Sequence, residues 1–179
     1  MQKASNEKLK NLILYVLSHE DYKEGGIKKL NKLLYFIDFY YFRDNEQLIS
    51  DSDYAKADMG PVLDKYRIIF DELENTGVLK AERDTYVKYR PKEEADLSNF
   101  SAREIDHIGK ILHRYGHLSG QDLEHISHQQ QPWVLTEGIG DIIDPDLALL
   151  MADDQGDEAI VLKSQSLKQE LIQLADSAA

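Results

Sequence analysis

The side chains best suited to chemistry in this sequence are six histidines and an abundance of carboxylates. His113 and His117 stand four residues apart, and His125 and His128 three apart, spacings at which two imidazoles on one helix can share a metal ion. Gly116 separates the first pair and no carboxylate of suitable register accompanies it. The second pair has acids around it, but six histidines in a chain of 179 residues produce such pairs by chance, so packed or exposed imidazoles are expected and no metal. The sequence has no cysteine, which removes thiolate nucleophiles, Cys-based zinc sites, disulfides and redox couples, and suits a reducing cytoplasm. It also lacks the G-x-S-x-G elbow, the P-loop, the G-x-G-x-x-G turn and the H-E-x-x-H helix. The acid pairs Asp51/Asp53 and Asp153/Asp154 have no apolar flank to raise a pKa. The expectation is a protein with no catalytic residues and no cofactor, hence not an enzyme.

Asp38 is the exception among the acids. It interrupts the apolar run from Leu33 to Phe42 and must face or border a core, where a carboxylate needs a hydrogen bond or an ion pair. Lys28, Lys32 and Arg67 are the available cations. The segment carrying Asp38 has Ile27, Leu30, Leu34, Ile37 and Tyr41 on one helical stripe, and Leu33, Phe36, Phe39, Tyr40 and Phe42 widen it almost all the way round. A helix apolar on most of its circumference belongs inside a domain.

The fold class expected is mainly α: a single compact helical domain around this central helix, 27–43, with a small β-hairpin near 78–90. Leu9, Leu12, Ile13, Val16 and Leu17 place a helix over 5–19 with Ser5 as its N-cap. Pro61 suits the first turn of a helix running to about Asn75, closed by Gly77. The hairpin follows, bounded by a polar turn at Arg83-Asp84 and by Pro91. Ser101 with Glu104 is a capping box for a helix to Tyr115, and Ser119 caps a short helix to His128. Asp144-Pro145 opens a further helix. The domain is expected over 1–155, with 156–179 a loop and a helix or tail carrying Leu167, Leu171 and Leu174 at heptad-like steps.

The formal net charge is −12, and its position is more telling than its size. Residues 115–162 hold ten acids and no Lys or Arg. Such a surface repels a phosphate backbone and suits a basic partner, with Asp141, Asp144, Asp146, Asp153 and Asp154 the candidate contact residues; a merely solvated face is the plainer alternative. Charges scattered through residues 1–20 argue against a signal peptide, and no apolar run approaches the ~20 residues of a membrane span, so a soluble, cytoplasmic protein is expected. Helices over 101–115 and 119–128 joined by a tight turn also have the outline of a helix-turn-helix, which makes a DNA-binding regulator the alternative function. Its second helix, SGQDLEHISHQ, offers no Lys or Arg, so DNA contact would fall to Lys80, Arg83, Lys88, Arg90 and Lys92 on the hairpin.

Three blocks taken together resemble a known family. KKLNKLLYFIDFYYF at 28–42, SDSDYAKADMGP at 50–61 leading into Val62, and LEHISHQQQPW at 123–133 are similar to the Panacea domain, the SocA-like antitoxin domain. The resemblance implies an antitoxin encoded beside a toxin in bacteria and their prophages, which neutralises that cognate toxin by direct binding. It also implies, for SocA-like members, delivery of the toxin to an energy-dependent protease, and no catalytic residues. The family-motif positions, taken as candidate partner-binding residues, are Lys29, Lys32, Tyr35, Tyr54, Gly60, Pro61, His128 and Trp133. Lys32 and Tyr35 are expected near the polar edge of the central helix, where a groove could form. Gly60-Pro61 is expected to fix a helix start. Trp133, the single tryptophan, is a core anchor or an interface hot spot, the core being favoured because Leu123, Ile126 and Val134 flank it.

Overall fold

Every residue from 29 to 41 is buried, so the central helix has no solvent side over more than three turns. This helix, α2 (Ile27–Asn45), is seen in a computed structural model that describes residues 2–152 apart from residue 24, together with residue 173. The expected tail at 156–179, with Leu167, Leu171 and Leu174, and the acids Asp153 and Asp154 lie outside the described residues. Against α2 pack α1 (Gln2–Ser18), α4 (Ala102–Tyr115), α5 (Gly120–Ser127) and a 3-10 segment (Pro145–Leu150). The architecture is mainly α, and among the described residues no helix is long and apolar enough to cross a membrane.

Several elements obey their local signals. Ser101 accepts from the Glu104 N–H at 3.2 Å while the Glu104 carboxylate takes the Ser101 N–H at 2.7 Å, and the same carboxylate reaches Lys8 of α1 at 2.6 Å. Ser119 and Asp122 form the equivalent box at α5. The helix α3 (Tyr66–Asn75) ends as its glycine requires: Gly77 sits at φ 80°, its N–H bonds to Glu74 and that of Val78 to Leu73, the paired bonds of a Schellman close. Then β3 (Leu79–Arg83) and β4 (Val87–Pro91) pair antiparallel from Leu79↔Pro91 to Arg83↔Val87, and Tyr89 stacks on Phe70 of α3 at 4.8 Å.

Other expectations are corrected. Helix α1 starts at Gln2 and runs through Ser5, because the Gln-Lys-Ala before it favours helix as well as the residues after it. Pro61 does not open a helix. Val62–Leu63 (β2) pairs antiparallel with Tyr54–Ala55 (β1), and α3 begins only after Lys65, at φ 54°. The reason is tertiary: the Asn31 side chain of α2 accepts the Leu63 N–H at 3.0 Å and Lys32 donates to the Pro61 carbonyl at 2.8 Å, which holds this stretch extended. Residues 140–143 line up on the other side of β1, with the Lys56 N–H on Asp141, the Gly140 N–H on Lys56 and the Ile143 N–H on Tyr54. The segment after Asp144 is a 3-10 turn with only Ala148 buried, too little apolar face to sustain a longer helix. It is preceded by the short helix α6 (Gln131–Leu135), which packs on it.

Asp38 is fully buried, and its partners are not cations. It accepts from the Ser50 N–H at 2.8 Å, from the Ser50 hydroxyl, and from Tyr54 Oη at 2.7 Å. Lys28 pairs instead with Glu124, Lys32 with the Pro61 carbonyl, and Arg67 is exposed. Burial raises the Asp38 carboxyl above its usual range even against these donors, and burial beside Asp38 pushes the Tyr54 phenol well up. The carboxyl therefore ties the 46–53 connection and β1 to the middle of α2. Asp38→Ala, which strands the Ser50 and Tyr54 donors in the core, should cost about 3 kcal/mol, and Asp38→Asn, which keeps an acceptor oxygen, distinctly less. Denaturant unfolding of the two variants measures the difference.

Candidate functional site

The three sequence blocks meet at the C-terminal side of β1. Lys32 is completely buried, and Gly60, at φ 86°, passes so close that a Cβ there would lie 2.5 Å from Ser127 Oγ and 2.7 Å from Lys32 Cε. Ser127 turns its hydroxyl onto the Glu124 carbonyl of its own helix at 2.9 Å. One turn further on, the Trp133 indole donates to the Ala57 carbonyl at 3.1 Å and stacks on His128 with ring centroids 4.0 Å apart. Lys56 lies 4.4 Å over the indole and donates to the Thr136 carbonyl at 2.6 Å. Each block thus contributes side chains that end on a backbone carbonyl of a neighbouring segment.

The electrostatics follow from burial. Desolvation lowers the Lys32 ammonium to about 7, with Glu124 opposing and Lys28 adding to the shift. Lys29, also buried, is lowered to about 8 by desolvation and by Lys23; its ammonium is caged by the carbonyls of Lys23 at 2.6 Å and Gly116 at 2.7 Å, and sits 5.0 Å from the Tyr22 ring. Burial also lowers the His128 imidazole. A buried amine near neutrality whose partner is a carbonyl oxygen acts as a donor that locks two segments together.

Lys32 and Tyr35 therefore do not border a groove, since both have no exposed surface. Tyr35 packs in tilted and edge-on contact with Phe36, Phe39 and Tyr54 in the core. Trp133 is half-buried, held by its N–H and by His128 and not by Val134, which is 48% exposed. The side chains of the acids do not enter this cluster, although the Asp141 carbonyl accepts the Lys56 N–H. Asp141, Asp144 and Asp146 are exposed, Asp141 accepting the Gly138 N–H and Asp144 the Asp146 N–H. Of the histidines paired by spacing, His113 lies 3.4 Å from Asp21. Sequence reasoning missed Lys56, Ser50 and Gln130, the last of which donates to Tyr40, itself stacked on Tyr115. These sit in polar stretches without periodicity.

The family model described as antitoxin SocA-like, Panacea domain matches residues 30–134. The chain belongs to this family. No curated protein and no solved structure matches it. The Panacea match contains Lys32, Tyr35, Tyr54, Gly60, Pro61, His128 and Trp133 and ends before the acids at 141–146. The match therefore takes in most of the carbonyl-locked cluster, Lys32 on Pro61 and Trp133 on Ala57, while Lys29, its partner Lys23 and the Thr136 carbonyl lie outside it.

Gly60→Ala combines a left-handed backbone with a clash against Ser127 and Lys32 and should lower stability by at least ~2 kcal/mol, read as a fall in melting temperature. The pH response has a definite sign. Lys32 titrates near 7 in the fold but near 10.5 when unfolded, so between those values the unfolded chain binds more protons and stability rises with pH. Below about pH 7 the desolvation penalty is fully present. Unfolding free energies at pH 7 and pH 9 should show a gain in the native chain that is reduced in Lys32→Met, while the similar contribution of Lys29 persists in both.

Proposed function

We propose that this chain is the antitoxin of a bacterial toxin–antitoxin pair, and that it neutralises its cognate toxin by direct protein–protein binding in the cytoplasm. In this reading residues 1–155 act as a single compact domain built around α2, with no enzymatic activity and no cofactor. Membership of the SocA-like family supports an antitoxin role. The observation that carries the binding mode is the commitment of the buried polar side chains: Lys29, Asn31, Lys32 and Asp38 all hold backbone groups of other segments. A scaffold whose internal donors and acceptors serve its own architecture does its work at its surface. Handing the captured toxin to an energy-dependent protease is a further step of the same proposal, and needs only that the toxin be held.

The DNA-binding reading draws less support. Helices α4 and α5 have the layout of a helix-turn-helix, but α5 buries Leu123, Ile126 and Ser127 against the protein and pairs Glu124 with Lys28. On the hairpin, Arg83 is bonded to Glu74 and Arg90 to Glu82.

Co-expression with the product of the adjacent gene tests the proposal. That product alone should arrest growth, the pair should not, and the two should co-purify. A harmless neighbour that does not co-purify, together with salt-sensitive binding of this chain to its own promoter, would favour the regulator instead. Toxin half-life in cells with and without their energy-dependent proteases separates simple capture from delivery: a half-life that this chain leaves unchanged removes the protease step.

A further inference from the structure

Large apolar side chains left in solvent are concentrated on one set of segments. Val134 and Leu135 on α6, Ile139 and Ile142 on the segment beside β1, Leu149 and Leu150 on the 3-10 turn, and Met59 between β1 and β2 are each 48–58% exposed. Among the described residues only Ile68 and Tyr86 are comparably exposed elsewhere. The segments are physically joined. Helix α6 packs on the 3-10 turn, Lys56 ties the end of α6 to the β1 edge through the Thr136 carbonyl, and Ile142 lies opposite Ala55.

The same segments carry exposed Asp58, Glu137, Asp141, Asp144 and Asp146. Among the described residues, the cations on or beside these segments are engaged: Lys56 lies over Trp133, and Arg43 bonds Asp44 and the Ala152 carbonyl. We infer that this face docks a cationic amphipathic segment of a partner protein, whose apolar side chains cover Ile142, Leu149 and their neighbours while its Lys and Arg pair with the surrounding acids. The inference deepens the antitoxin reading and rests on it for the identity of the partner as the toxin. Charge decides between occupants. A second copy would bring the same acids face to face, and this chain's own continuation begins with four more, Asp153, Asp154, Asp157 and Glu158. A cationic partner gains on both counts, covering apolar surface and neutralising its rim.

Trp133 is the only tryptophan and lies half-buried on α6, so its fluorescence reports occupancy of this face. The full chain is titrated with an amphipathic Leu/Lys peptide and with a Leu/Glu peptide of equal length. The Leu/Lys peptide should give a saturable change that weakens with salt, and the Leu/Glu peptide none. The double variant Ile142→Lys, Leu149→Lys should bind the Leu/Lys peptide roughly tenfold more weakly, whereas Ile68→Lys, outside the face, should not alter it. Melting curves identify any variant that fails to fold, in which case Leu149→Ser and Leu150→Ser replace it. Equal binding of both peptides, or unchanged affinity in the double variant, overturns the inference. So does the absence of a saturable change, which means that a second copy or the chain's own later residues cover the face; sedimentation tells these two apart. Capture of the adjacent gene's product is scored separately. Capture retained by the double variant sinks this surface but not the antitoxin reading, and no capture by the native chain sinks that reading while the peptide titration still judges the surface.

Discussion

The structure depends on a helix that is buried on every side yet carries four polar side chains. Along α2, Lys29, Asn31, Lys32 and Asp38 are each at most 3% exposed. Burying such groups costs several kcal/mol apiece unless each finds a partner. Asn31 finds one on its own helix, its amide donating to the Ile27 carbonyl at 3.0 Å, and the other partners come from elsewhere in the chain. Lys29 holds the carbonyls of Lys23 and Gly116, Asn31 the N–H of Leu63, Lys32 the carbonyl of Pro61, and Asp38 both Ser50 and Tyr54. Together these bonds fix the connecting segments, so the polar residues of one helix set the paths of the turns before it and after α4 and of the 46–63 stretch.

Lysine is suited to this work in two ways. Its four-carbon stem packs as an apolar group while its head offers three donors. Its pKa also falls readily on burial, so the cost of a buried ammonium is limited by proportionate loss of the proton, and the neutral amine still donates. Lys32 near 7 and Lys29 near 8 illustrate two degrees of this. Lys29 keeps more charge because desolvation, the main cause of both shifts, is weaker there; two carbonyls and the face of Tyr22 surround its ammonium, whereas Lys32 has one carbonyl and a glycine pressed against its stem. Gly60 is needed for that contact: any side chain would push Lys32 and Ser127 apart.

The features legible in the sequence are those decided locally or by periodicity. The all-round apolar character of 27–42, the Ser101 and Ser119 caps, the Gly77 close and the 78–90 hairpin are written in residues within a few positions of one another. Burial of Asp38 was legible too, because it interrupts an apolar run. Its partner was not, since Ser50 and Tyr54 sit in the polar stretch SDSDY, where nothing distinguishes a buried serine from a solvated one. Pro61 misled for a related reason. A proline before an amphipathic run is a fair helix start, but bonds from Asn31 and Lys32, some thirty residues earlier, draw it into an extended strand edge, and tertiary contacts outweigh a local preference of a fraction of a kcal/mol. Trp133 is placed by its stacking on His128 and by an N–H bond to Ala57, and the latter contact has no sequence signature at all.

The boundary at the end of the matched span also divides two physical tasks. Within 30–134 the buried ionisable groups of the central helix, Lys32 and Asp38, hold the scaffold. From 135 to 150 the acids are outside, and Leu135, Ile139, Ile142, Leu149 and Leu150 beside them are half in water. These acids do more than set the sign of the surface. Asp141 holds the Gly138 N–H and Asp144 the Asp146 N–H, so the turns that carry Ile139, Ile142, Leu149 and Leu150 are shaped by the same carboxylates that border them. The apolar residues are thereby presented in a fixed arrangement, tied through the Lys56 and Ile143 backbone bonds to β1 and hence to Asp38 on α2. A surface ordered before its partner arrives loses less entropy on association, which is how modest apolar area with a charged rim can bind selectively.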